Sequence, residues 1–223
     1  MTTPEGRPGA APPGAHAPRG PGAPRSAIFG GTFDPPHNAH LALAHAALAA
    51  LALDDVRWVP AGLPWQKVGG GARAVTPAAH RVAMVERAIA GEARFRLERL
   101  EVERSGPSYM IDTVEALAAR EPGRAWVLLI GQDQVARLPT WHRWRELLAR
   151  VTLAVANRPG AAAAPAPEVA AVLAAAPRST LPLPMLDISA TDIRARIAAG
   201  RDVAALVPAE VAGYIARHGL YRG

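Results

Sequence analysis

Ser26-Ala27-Ile28-Phe29-Gly30-Gly31-Thr32-Phe33-Asp34-Pro35-Pro36-His37-Asn38-Ala39-His40 passes from an apolar strand, through a double glycine and an Asp-Pro-Pro turn, into a helix. Ser26 to Phe33 is a short strand-like run, and His37 to Leu53 reads as a helix. A strand that ends in glycines and feeds a helix N-terminus suits an anion. The glycines let backbone approach a phosphate closely, while loop N–H groups and the helix dipole add fixed positive potential. His37 and His40 stand three apart on the first turn, so they share a face and can address the same anion. The same pair also suits half of a metal site, with His45 nearby, although no carboxylate stands at ligand spacing.

Outward from this segment, strand and helix alternate. Val56 to Pro60 reads as a second strand. Pro77 to Ala90 is predicted helical, with Thr76 as N-cap and Pro77 at the first helical position. Phe95 to Val102 reads as extended and Ser108 to Arg120 as helix. Trp126 to Ile130 is a wholly apolar strand closed by Gly131; Trp141 to Arg150 is helical, and Val151 to Ala156 is another buried strand. Ile188 to Tyr221 reads as two helices. The expected fold class is therefore α/β, a doubly wound parallel sheet with a small C-terminal helical part. In such sheets ligands sit beyond the carboxyl ends of the strands. The residues that matter should follow Phe29, Pro60, Ile130 and the strand before Ile188.

Two more segments meet that expectation. Ile188-Ser189-Ala190-Thr191-Asp192-Ile193-Arg194 opens a helix with Ser189 placed as N-cap, and Arg194 can fork onto phosphate oxygens. The plainer reading of this stretch is a capped helix with a surface arginine. Ile130-Gly131-Gln132-Asp133 brings a carboxylate to the ligand edge, where it can bind ribose hydroxyls. Leu138-Pro139-Thr140-Trp141-His142 follows it, and Trp141 by itself reads equally well as core packing.

Composition sets the frame. The chain has 223 residues, enough for one domain with a substantial core, and is 50% hydrophobic and 20% charged, which is globular. It has no cysteine, so disulfides and thiolate metal sites are excluded. The apolar run Leu41 to Leu53 is too short to span a bilayer, and the N-terminus lacks the apolar stretch of a secretory signal, so a cytoplasmic protein without membrane partners is expected. The net charge of +6 comes from scattered arginines, which argues against a nucleic-acid partner and suits a protein that gathers small polyanions. Lys67 is the only lysine; it is either a retained point charge for a phosphate or a chance survivor on the surface. Residues 1–25 are rich in Pro and Gly and are expected to be a disordered tail, leaving 26–223 as the domain, with 161–176 as an Ala/Pro-rich insertion of loop and helix.

The His37-to-His40 segment resembles the (H/T)xGH signature of the nucleotidylyltransferase superfamily, with Ala39 where glycine is usual. Its flank Gly30 to His37 resembles the bacterial nicotinate-nucleotide adenylyltransferase branch. Ile188 to Arg194 is similar to that family's ISxTxIR motif, which holds ATP β- and γ-phosphates. The loop Val59 to Lys67 keeps the terminal base of the family's Pro-His-Lys, and Ser108-Tyr109-Met110 stands where Ser-Tyr-Thr is usual. Val207-Pro208 through Tyr221 matches the family's last helix. The likeness covers nearly everything from residue 26 onward, apart from the insertion.

What the resemblance implies is transfer of AMP from ATP to nicotinate mononucleotide, giving deamido-NAD and pyrophosphate. Catalytic roles would fall to His40, His37 and Arg194. ATP would meet Gly30, Gly31, Thr32, Phe33, His37, His40, Gly131, Asp133, Ile188, Ser189, Thr191 and Arg194, and the mononucleotide would meet Lys67, Thr113, Trp141 and His142. Mg2+ would arrive chelated to ATP, with no metal held by the protein itself. Rival readings are the same chemistry on nicotinamide mononucleotide or phosphopantetheine, a cytidylyl reaction, and a nucleotide-sensing protein without turnover. Homo-oligomerisation is left open.

Overall fold

The computed structural model describes residues 22–62, 75–157, 167–175, 178–182 and 186–222. Lys67, most of the N-terminal tail and the start of the insertion lie outside them. The strands are β1 (Arg25–Gly31), β2 (Asp55–Pro60), β3 (Phe95–Leu97), β4 (Ala125–Gly131), β5 (Thr152–Asn157) and β6 (Arg178–Pro182). The helices are α1 (Asn38–Leu51), α2 (Ala78–Ile89), α3 (Leu100–Glu103), α4 (Met110–Arg120), α5 (Gln132–Val135), α6 (Trp144–Arg150), α7 (Pro167–Ala175), α8 (Ala190–Ala198) and α9 (Ala209–Arg217).

All strand pairs are parallel, and the order across the sheet is β3-β2-β1-β4-β5-β6. The period of two along each strand sorts side chains between two cores. Ala27, Phe29, Val56, Trp58, Val127 and Leu129 pack with α1 on one face. Ile28, Leu128, Ile130, Leu153 and Val155 face α4, α6 and α7 on the other. Burial on both faces is why these strands read as near-continuous apolar runs. A third cluster joins α2 to α8 and α9 through Met84, Ile193, Val211 and Ile215, and seats the C-terminal helical part beside the sheet.

Register opens the cleft. β1 pairs with β2 as far as Gly31↔Pro60, but with β4 only as far as Ile28↔Leu128. Beyond that point the two central strands part, at the position where the direction of winding reverses, and the crevice of a doubly wound sheet lies there.

Several expected boundaries shift for local reasons. α1 stops at Leu51, not Leu53, because Ala52 takes a left-handed conformation with φ 47°. Pro77, not Thr76, is the N-cap of α2, since Thr76 is held in the loop network described below. The segment Phe95 to Val102 is extended only to Leu97. Its alternating pattern imitates a strand, but Leu100–Glu103 turns helical and buries the Glu101 side chain. α6 begins at Trp144, after a 3-10 turn over Leu138–Thr140 and a left-handed Arg143. Within the insertion, α7 packs Val169 and Leu173 into the second core.

Candidate active site

The loop after β1 is built around the neighbouring side chains. Phe33 has φ 50°, and its ring is buried edge-on to Phe29. The ring belongs to the first core. The Asp34–Pro35 peptide is cis. Asp34 is buried and serves as a hub. Its carboxylate accepts from the Tyr221 hydroxyl at 2.7 Å and from the Thr76 N–H at 3.3 Å. Its carbonyl accepts from Arg194 Nη1 at 2.8 Å.

His37 is the extended N-cap of α1, and its ring stacks on His40 with centroids 3.6 Å apart. The His37 N–H donates to His40 Nδ1 at 3.1 Å. His40 is partly buried, and its ring sits among Phe29, Phe33 and His37. Burial first, and the charge of His37 second, hold its pKa well below the usual histidine value. A neutral ring whose Nδ1 accepts must carry its proton on Nε2, so His40 is a donor at that atom. The Asn38 N–H and Nδ2 donate to the carbonyls of Leu206 and Ala205, at 2.9 and 3.0 Å, tying the segment before α9 to the start of α1.

On α8 the Ser189 hydroxyl accepts the Asp192 N–H at 3.1 Å, the expected cap, and satisfies one of the four N–H groups a helix start leaves without partners. Thr191 Oγ1 accepts from Arg194 Nη2 at 3.2 Å. Arg194 is thus aimed by its own helix and laid onto the β1 loop. Ile188 is buried in the third cluster.

Gly131 ends β4, and a Cβ there would lie 2.6 Å from Asp133 Oδ1. The missing side chain lets the exposed Asp133 carboxylate fold back over the strand end. Gly30 is approached by Met110 Cε, which lies where a Cβ would stand, so the start of α4 reaches across the end of β1. Next to Met110, the Tyr109 ring stacks on His142 at 4.4 Å between centroids. Trp141 is half-buried against the second core, with its Nε1 buried and without a hydrogen-bond partner. Thr113 is fully buried, and its hydroxyl donates to Glu101 Oε1 at 2.8 Å. Burial raises the Glu101 carboxyl, partly offset by that bond. Lys67 lies outside the described residues. Among the described residues no three His, Asp or Glu side chains converge as a metal site, and no helix is long and apolar enough to cross a membrane.

The structure therefore joins His37, His40, Thr191 and Arg194 around one loop, and sets Gly131, Asp133, Trp141 and His142 beyond β4. Sequence reading passed over Asp34 as a hub, and over Arg81, Glu101 and Tyr221. Arg81 left a signal. It lies three and four residues before Met84 and Val85, on the apolar stripe of α2, where a charge has to find buried partners.

The pattern of the cytidylyltransferase-like family matches residues 28–196. The chain is 50% identical over 201 residues to a protein of Methylibium petroleiphilum named probable nicotinate-nucleotide adenylyltransferase, across 88% of this chain and 92% of that one. A Bordetella petrii protein of the same name is 50% identical over 200 residues, across 89% and 99%. Among solved structures, Plasmodium falciparum nicotinic acid mononucleotide adenylyltransferase complexed with NaAD superposes with a TM-score of 0.74 over 89% of this chain and 97% of that one. At 17% identity that likeness speaks for the fold.

Proposed function

The chain belongs to the cytidylyltransferase-like family, on its nicotinate-nucleotide adenylyltransferase branch, and from that premise we propose how its residues divide the work of adenylyl transfer. The reaction joins the AMP part of ATP to nicotinate mononucleotide. A 5′-phosphate oxygen of the mononucleotide attacks the α-phosphorus of ATP in line, and a new P–O bond forms. The bond from that phosphorus to the bridging oxygen breaks, and pyrophosphate departs with the electron pair. The attacking oxygen is already ionised at neutral pH, so no general base is needed. Catalysis is then positioning, together with stabilisation of charge on phosphate oxygens.

His40 Nε2 donates to the α-phosphate, and the bond strengthens as charge develops. His37, the start of α8 at Ser189 and Thr191, and Arg194 hold the β- and γ-phosphates and the leaving pyrophosphate. Gly30, Gly31 and the backbone of Thr32 and Phe33 let the triphosphate lie close, while Gly131 and Asp133 receive the nucleoside. Magnesium would be part of the ATP substrate, chelated by its phosphates and supplying charge neutralisation there. Trp141 stacks on the pyridine ring, N–H groups near His142 meet its carboxylate, and Lys67 meets the mononucleotide phosphate.

One observation carries this reading most: Arg194 of α8 donates to the Asp34 carbonyl, 160 positions away in sequence. The two segments that look like phosphate binders form one surface, beside a neutral histidine that donates at Nε2. The test supplies ATP with nicotinate mononucleotide, nicotinamide mononucleotide or phosphopantetheine, and follows dinucleotide and pyrophosphate. The acid should be preferred over the amide by roughly ten- to a hundredfold. An amide turns its own donors toward backbone N–H groups and leaves a buried group unpaired, at about 1–3 kcal/mol. Equal specificity constants for acid and amide would remove this account of the carboxylate.

A further inference from the structure

Arg81, on the first turn of α2, is 1% exposed. Its guanidinium uses all three nitrogens on backbone carbonyls. Nη1 donates to Thr32 O at 2.9 Å, Nη2 to Gly62 O at 3.1 Å and Nε to Thr76 O at 2.8 Å. Among the described residues no carboxylate forms an ion pair with it; Asp34 acts on it only from farther away. A buried cation without a salt bridge is costly unless its donors find partners, and here each of the three nitrogens donates one hydrogen bond.

The three carbonyls belong to three segments at the carboxyl edge of the sheet. Thr32 is in the loop after β1, which carries the phosphate-binding backbone. Gly62 follows β2, and Thr76 precedes α2. Gly62 is held from the other side as well, its N–H donating to Ser108 Oγ at 3.0 Å, and a Cβ on it would overlap the Glu101 carbonyl. Thr76 is likewise bonded through its N–H to Asp34. Only a planar fork with donors pointing three ways reaches all three carbonyls together, and an ammonium does not.

We infer that Arg81 is a positioning residue for adenylyl transfer: by bridging Thr32, Gly62 and Thr76 it sets the spacing of the β1 and β2 loops on which in-line approach of the two substrates depends. The inference rests on the site reading given above. It assigns Arg81 no contact with substrate, and its effect passes through the backbone of the two loops.

The test compares wild type with Arg81→Lys. ATP-binding stoichiometry and affinity are measured by titration calorimetry, and kcat is expressed per ATP-binding site, well below the unfolding temperature. In R81K kcat per site should fall by about ten- to a hundredfold, the size expected when reacting atoms are displaced by about an ångström. ATP affinity should stay within about threefold. A role in stability alone would lower the unfolding temperature and the number of binding sites, and leave kcat per site unchanged. Gly62→Ala provides a second arm if R81K does not fold, because it pushes the β2 loop off Glu101 while leaving every Arg81 donor in place. The same loss of kcat per site is expected. Wild-type kcat per site in whichever variant folds overturns the inference. His40→Ala separates this from the site reading: it should lose about a hundredfold in kcat with ATP affinity kept. If H40A turns over normally, the assignment of His40 fails, while the R81K and G62A ratios still decide the role of Arg81.

Discussion

His40 carries its proton on Nε2 because Nδ1 is occupied by the first backbone N–H of its own helix turn. A capping contact has thus become a device that sets a tautomer. The same burial has a consequence for stability. In the unfolded chain the imidazole takes up a proton near pH about 6.5. In the folded chain it resists until a lower pH, its value held down by burial and then by His37. Between the two values the unfolded state binds more protons, so stability is fully present above about pH 6.5 and is lost as the pH falls through the folded value. Urea midpoints measured from pH 7.5 downward should therefore decline below about 6.5, and His40→Gln should flatten that decline. Parallel curves for the two proteins would mean that another group governs the acid response.

Polar bonds join elements of this fold beyond their apolar packing. The C-terminal residues reach the β1 loop through Tyr221, whose hydroxyl donates to the buried Asp34 carboxylate. Burial, and then that carboxylate, push the phenol pKa upward, so the hydroxyl keeps its proton and remains a donor. Tyr221→Phe removes one donor from Asp34 and leaves part of a buried carboxylate unsatisfied. It should lower the free energy of unfolding by about 1–3 kcal/mol, read from chemical denaturation. A change below about 0.5 kcal/mol would show that Asp34 is satisfied without Tyr221. The start of α4 meets β1 differently, through Met110 lying over Gly30.

For the whole molecule, the boundary of the folded unit lies slightly earlier than the composition suggests. Pro24 O accepts the Ala125 N–H at 2.8 Å, and the Arg25 N–H donates to Asp54 at 2.6 Å, so the strand ladder begins before residue 26. Removing residues 2–21, a stretch whose composition cannot bury an apolar face, should leave both the unfolding temperature and kcat unchanged. Extending the deletion through Pro24 takes away a bond between the β1 and β4 segments and should lower the unfolding temperature by a few degrees. If the shorter deletion already costs stability or turnover, the tail contributes to the fold and has been wrongly set aside.

The sequence by itself determined the class of fold and the edge on which the site lies. Apolar runs of strand length alternating with helical periods report burial within a dozen residues, and glycines at strand ends mark where backbone must come close to something. His37, His40 and Ser189 were legible because they stand at helix starts, where local geometry exposes N–H groups, and Arg194 because it lies about one turn inside such a helix. Partnership was not legible. Thr113 bonds through its hydroxyl to Glu101, twelve positions earlier, inside the core. Arg81 bonds carbonyls 49, 19 and 5 positions away, and Asp34 meets Tyr221 across 187. No spacing rule reaches that far, because such pairs are chosen by the packing of helices on a sheet and not by the chain between them. Even the cleft required the tertiary structure, since β1 and β4 part after Ile28↔Leu128 only once the strands are ordered side by side.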